Sequence, residues 1–173
     1  ELSKEMHIAL IERCKQHGIL FLSTPYDNDS VDLLDQLDVA LIKVASTDAN
    51  NIPFLEYIAR KGRPIILSTA MCNYSEVEAS VRAIRRINQK LIVLQCTGNY
   101  PSTIEQANLL AMKNMRKDFD VLTGYSDHVT GSTAAMVAIA LGACVYEKHF
   151  TLDRSLPGPD HRASMEPDEL TQL

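Results

Sequence analysis

The sequence is poor in several features that would each have fixed a function class. It has no run of about 18 apolar residues, so no transmembrane helix is expected. Its 17 basic residues against 22 acidic ones give a net charge of −5, which argues against nucleic acid as the main partner. Only 7 glycines occur and none builds a glycine-rich phosphate loop. The four cysteines, Cys14, Cys72, Cys96 and Cys144, form no C-x-x-C pair. Their apolar neighbours predict buried free thiols in a reducing cytoplasm rather than a disulfide or zinc framework. Glu1-Leu2-Ser3-Lys4-Glu5 carries neither an initiator Met nor the apolar run of a signal peptide.

What remains is an ordinary globular composition, 46% hydrophobic and 23% charged over 173 residues, enough to bury a core. Six short Ile/Leu/Val-rich segments recur along it. They predict strands near residues 19–24, 40–46, 64–69, 91–97, 121–126 and 144–149, apolar enough to be covered on both faces. Between them run segments of helical period. Ser75 and Glu78 offer a capping box, Pro53 suits a first helical turn, and Gly18, Gly62 and Gly142 stand where helix C-caps precede a strand. A last helix opens at Glu166-Pro167-Asp168. Strands alternating with helices predict an α/β fold with a parallel sheet. An eight-unit TIM-type (β/α)8 barrel takes about 31 residues per unit, and six units here take about 29. The expectation is therefore a six-unit fragment of such a barrel, strands 3 to 8, as one partial catalytic domain over residues 1–173.

In a parallel barrel the reactive groups collect at the carboxyl ends of the strands, and every one of these segments runs into polar residues there. Ser23-Thr24-Pro25-Tyr26-Asp27 follows the first segment, and Lys43 with Ser46-Thr47-Asp48 follows the second. Later segments end in Ser68-Thr69, Cys96-Thr97-Gly98-Asn99-Tyr100, Ser126-Asp127-His128 and Glu147-Lys148-His149. A single Ser or Thr at such a place is as readily a helix cap. His128 and His149 end consecutive strands, so two imidazoles face one rim with Asp127 and Glu147 nearby. Such a set can hold a divalent cation with open positions. His7 and His17, in a helix before the first strand, are expected to be structural. Lys43 and Lys148 end strands among apolar residues, where an ammonium binds an anion, forms a Schiff base or is ion-paired. Ser46, Ser68 and Ser126 favour the anion.

The runs Ser23-Thr24-Pro25-Tyr26-Asp27, Ile42-Lys43-Val44-Ala45-Ser46, Ile66-Leu67-Ser68-Thr69-Ala70-Met71, Gln95-Cys96-Thr97-Gly98-Asn99-Tyr100-Pro101, Gly124-Tyr125-Ser126-Asp127-His128, Glu147-Lys148-His149-Phe150 and Pro157-Gly158-Pro159-Asp160-His161 closely resemble the sialic acid synthase (N-acetylneuraminate synthase) family. The resemblance spans essentially the whole chain. It implies a TIM-type barrel that condenses phosphoenolpyruvate with an N-acylated hexose such as N-acetylmannosamine, its 6-phosphate or a bacterial dideoxy-diamino sugar. The product is a nine-carbon 2-keto acid, and phosphate is released. The resemblance makes His128 and His149 ligands of Mn²⁺ or Mg²⁺. It puts Thr24, Lys43 and Ser46 on phosphoenolpyruvate with Ser68 and Ser126 near its phosphate, and Asp48, Tyr100 and Asp160 on the sugar. Lys43, Tyr100 and Asp160 become the catalytic candidates.

It further implies a cytoplasmic enzyme, a homodimer when full length, with two barrel strands before Glu1 and a C-terminal antifreeze-like domain, neither present in this sequence. Two departures stand out: Thr47-Asp48 where the family often has Gly-Glu, and Gly98 where some members have Asn or Ser. Two other readings compete, a Schiff-base aldolase using Lys43 or Lys148 and a non-catalytic sugar- or phosphate-binding fragment.

Overall fold

A computed structural model describes residues 2–173. The elements, in chain order, are α1 (Lys4–Gln16), α2 (Asn28–Gln36), β1 (Ile42–Val44), α3 (Ile52–Ala59), β2 (Ile65–Ser68), α4 (Tyr74–Arg85) and β3 (Leu91–Cys96). They continue with α5 (Leu110–Phe119), β4 (Leu122–Asp127), α6 (Thr133–Ala140), β5 (Tyr146–Lys148) and α7 (Pro167–Gln172). The strands form one sheet, hydrogen-bonded in chain order from β1 to β5. Ile42 pairs with Ile65, Val93 with Thr123 and Tyr125 with Tyr146, all in parallel. The α/β class and the parallel strand order are those expected, but the described residues hold five strands rather than six. Residues 19–25 run without a ladder, and the Lys43 N–H of β1 reaches the Ser23 carbonyl at a long 3.4 Å. Ile19 and Leu20, 60% and 71% exposed, find no cover there, so the first segment does not become a covered strand.

The chain divides into two compact units. One comprises the described residues up to Leu67 together with Ser75–Leu91. Its core is aliphatic: Val31 and Leu34 from α2, Leu55 and Ile58 from α3, Ile42 and Ile65 from the strands, and Val81 and Ile84 from α4. Outside it, Asp32 on α2 accepts from Lys61 and Tyr57, and Arg63 spans Asp35 and Asp38. Pro53 does sit in the first turn of α3. Ser75 lies inside α4 rather than capping it, while the capping box forms at α7 between Glu166 and Glu169. Gly18 and Gly62 take positive φ after α1 and α3 as expected. His7 is structural: it is buried, with its ring bonded to the Ser3 carbonyl and its edge against Phe21.

The second unit comprises Ser68–Tyr74 and Ile92–Leu173. Its core packs Met112 from α5 and Ala134 and Ala138 from α6 around Tyr125 of β4. Small residues on α6 let that helix lie close over the sheet. At Gly124 the two strands approach so closely that a Cβ would strike the Val145 carbonyl and come within 2.7 Å of Leu94 Cδ2. The cysteines correct one expectation. None of the four is in a disulfide, but only Cys96 is buried, and Cys144 is exposed at the turn before β5. No described helix is long and apolar enough to cross a membrane.

Candidate functional site

The second unit gathers four of the expected side chains. His128 follows β4 directly and His149 follows β5. The two strands pair in parallel through Ser126 with Glu147 and Asp127 with Lys148, so both imidazoles leave the sheet at the same end. Their ring centroids are 5.4 Å apart. Tyr100, from the segment after β3, stacks on His128 at 3.8 Å between centroids and meets His149 edge-on at 5.4 Å. That segment is held by the bond from the Ser102 N–H to the His128 carbonyl. Asp160 brings its carboxylate within 3.8 Å of His149 Nδ1, and its own carbonyl is fixed by the Ser164 hydroxyl.

The tautomer of His128 follows from its partner. Nδ1 lies 2.6 Å from the Thr97 carbonyl, which can only accept, so Nδ1 carries the proton and Nε2 keeps its lone pair. Burial pushes this imidazole below its ordinary pKa, against the opposing pull of the Thr97 carbonyl. A neutral ring with a free Nε2 is the form a metal ion requires. The donor set therefore fits a divalent cation through two imidazoles. Among the described residues no group of three or more His, Cys, Asp or Glu is arranged to hold a metal.

The two carboxylates expected beside the histidines serve elsewhere. Asp127 is fully buried and accepts from the Val129 N–H and the Tyr146 hydroxyl, both at 2.8 Å, and from Lys148 at 3.4 Å. Glu147 accepts from the Ser126 hydroxyl at 2.7 Å. The one hydroxyl proton of Ser126 is thus turned toward Glu147, and a phosphate contact would have to take it from there. Lys148 also donates to the Val129 carbonyl. Burial draws its ammonium below the ordinary lysine pKa, opposed by Asp127. Of the readings open for Lys148, the ion pair is the one found. Ser68 is buried at the end of β2.

Thr24, Lys43, Ser46 and Asp48 lie in the first unit. Thr24 is half-buried in the extended stretch before α2. Lys43 is half-buried in β1, its Nζ donating to the Val44 carbonyl at 3.0 Å. Ser46 and Asp48 form a 3-10 turn after β1, where Asp48 accepts from the Asn51 side chain. At the other departure, Gly98, a Cβ would sit 3.2 Å from Met71 Cγ, so Met71 fills the room that a larger residue would take.

Sequence reasoning missed two arginines. Arg154 and Arg162 line a cavity of about 520 Å³ together with Tyr100, Leu156 and Pro159. Arg154 is braced by the Ser164 carbonyl and Glu169, whereas Arg162 is exposed. Their flanking of the Pro157–His161 run was the available signal.

The chain is 44% identical to N,N'-diacetyllegionaminic acid synthase of Campylobacter jejuni, over all of this chain and 53% of that protein. It is 42% identical to the Legionella pneumophila protein of the same name, over all of this chain and 50% of that one. It thus spans about half the length of these curated relatives. Among solved structures, the N-acetylneuraminic acid synthetase of Leptospira borgpetersenii, in complex with citrate, superposes with a TM-score of 0.95 at 37% identity. That match covers 99% of this chain and 60% of the other. Since the NeuB family matches residues 1–173 and both synthases align along the entire chain, this protein belongs to the NeuB family.

Proposed function

We propose that the protein condenses phosphoenolpyruvate with an N-acylated hexose to give a nine-carbon 2-keto acid of the sialic acid type and inorganic phosphate. The observation that carries this reading is the meeting of Tyr100, His128, His149 and Asp160 at the carboxyl end of adjacent parallel strands. Both the synthases it resembles and the solved synthetase make acids of this class, as their names say.

His128 and His149 would hold a divalent cation, Mn²⁺ or Mg²⁺. When bound, such an ion supplies Lewis-acid polarisation of the sugar aldehyde. Tyr100 and Asp160 orient the open-chain sugar beside them, with the arginine-lined cavity next to Tyr100 giving it room. Thr24, Lys43 and Ser46 bind phosphoenolpyruvate, and Ser68 and Ser126 serve its phosphate. Asp48 serves the sugar. In near-attack geometry C3 of phosphoenolpyruvate forms a bond to the aldehyde carbon, whose oxygen takes up a proton. Water adds at C2, and the tetrahedral intermediate loses phosphate by C–O cleavage. The enzyme is read as a cytoplasmic homodimer.

Phosphate release tests this. The full-length protein is given phosphoenolpyruvate with N-acetylmannosamine, its 6-phosphate or a dideoxy-diamino hexose, with and without Mn²⁺. Release that needs one of the sugars and a metal ion is expected. Borohydride trapping of a keto-acid adduct on Lys43 or Lys148 would instead establish the aldolase, since the condensation forms no imine. Binding of both substrates without phosphate release would leave only the non-catalytic reading.

A further inference from the structure

We propose that Asp127, together with Tyr146 and Lys148, is a staple that positions His128 against His149. The proposal rests on the reading of those two imidazoles as the reactive pair. Asp127 is 0% exposed, so it meets no substrate, and a buried carboxylate must be compensated by donors. Its donors come from both sides of the pair. One is the Val129 N–H, in the residue directly after His128. The others are the Tyr146 hydroxyl and Lys148 Nζ, on β5 immediately before His149. Lys148 closes the loop by donating to the Val129 carbonyl. Both backbone polar groups of Val129 are therefore held by side chains of Asp127 and of β5.

Stability alone is a poor explanation for this arrangement. A buried ion pair is often replaceable by apolar residues at little or no cost, because desolvation offsets the attraction. An apolar pair at Asp127 and Lys148 would keep the strand ladder but would release Val129. What the polar staple adds is a fixed path for the chain leaving β4, and hence a fixed place for the His128 ring. Asp127, Tyr146 and Lys148 are then positioning residues.

The test compares Asp127→Asn, Tyr146→Phe and the double substitution Asp127→Asn with Lys148→Met in the full chain. The double variant removes the charge pair while leaving no buried ion. Two measurements are made: the imidazole ¹H–¹⁵N spectrum and Mn²⁺ affinity by titration. The double variant is expected to stay folded with shifted or broadened His128 signals, and Mn²⁺ affinity should fall about 10- to 100-fold. Tyr146→Phe, which loses only a hydroxyl, should move both readouts in the same direction by less, and it serves if the charged variants do not fold. Folded variants with unchanged imidazole signals and unchanged Mn²⁺ affinity would overturn the staple. If the unmodified protein binds no Mn²⁺ while the substitutions still displace the His128 signals, the metal reading fails and the staple stands.

Discussion

His128 illustrates how much one hydrogen bond decides. Because the Thr97 carbonyl engages Nδ1, the ring offers Nε2 and stays neutral under the pressure of burial. His149, bonded through its backbone carbonyl to the Met165 N–H, supplies the second ring. The role proposed for Lys43 is different, to hold phosphoenolpyruvate. The chain carries a net charge of −5, so an anion must be bound by local positive charge. Losing a charge-assisted contact to a bound anion costs about 1.5–3 kcal/mol, about ten- to a hundredfold in affinity. Lys43→Ala should weaken phosphoenolpyruvate binding by that factor, whereas His149→Ala should abolish metal-dependent turnover and leave that binding nearly intact. Calorimetric titration of both variants checks the division. Unchanged affinity in Lys43→Ala would move the anion site elsewhere. Residue types at strand ends were legible in the sequence. The partners of Asp127 and Glu147 were not, because a carboxylate near a histidine in sequence can turn to any donor the neighbouring strand presents.

At the scale of elements, the register of β4 on β5 does most to assemble the site. It places Ser126 beside Glu147 and Asp127 beside Lys148, and the two histidines follow one step later. Gly124 permits that register, since a side chain there would meet the Val145 backbone and Leu94. Overpacking of a tight contact typically costs about 1–3 kcal/mol. Gly124→Ala should therefore lower stability by about that amount in urea denaturation, and should perturb both histidines in the imidazole spectrum. An unaltered midpoint would mean that the strands can separate freely. The alternation of strand-like and helix-like segments was legible from hydrophobic period alone, as were Pro53 in α3 and the start of α7. The fate of residues 19–25 was not. An apolar run of that length reads as a strand, yet a ladder needs a partner along its length, and here the stretch runs without one.

For the whole molecule, exposed apolar surface governs behaviour in solution. Ile19 and Leu20 lie open on the unladdered stretch, and Met136 and Ile139 of α6 are 58% and 56% exposed. Unpaired extended backbone beside apolar side chains invites association. The 173-residue chain should therefore sediment as more than a monomer, and Leu20→Lys should shift it toward smaller species. A monodisperse monomer would show that this surface is tolerated. The sequence by itself determined the α/β class, the parallel order and the family. Those depend on patterns repeated along the chain, in which each segment's period and each strand-end motif reports locally. It also paired His128 with His149 and, through the family resemblance, named Tyr100 and Asp160 alongside Asp48 for the sugar; that Tyr100 and Asp160 meet the two imidazoles came from the structure. The tertiary structure decided the rest: which strands pair, that the chain forms two compact units, that Cys144 is exposed, and that Asp127 and Lys148 turn to each other. Those outcomes turn on which donor, acceptor or apolar face a side chain meets across space, and that is settled only when distant segments have packed.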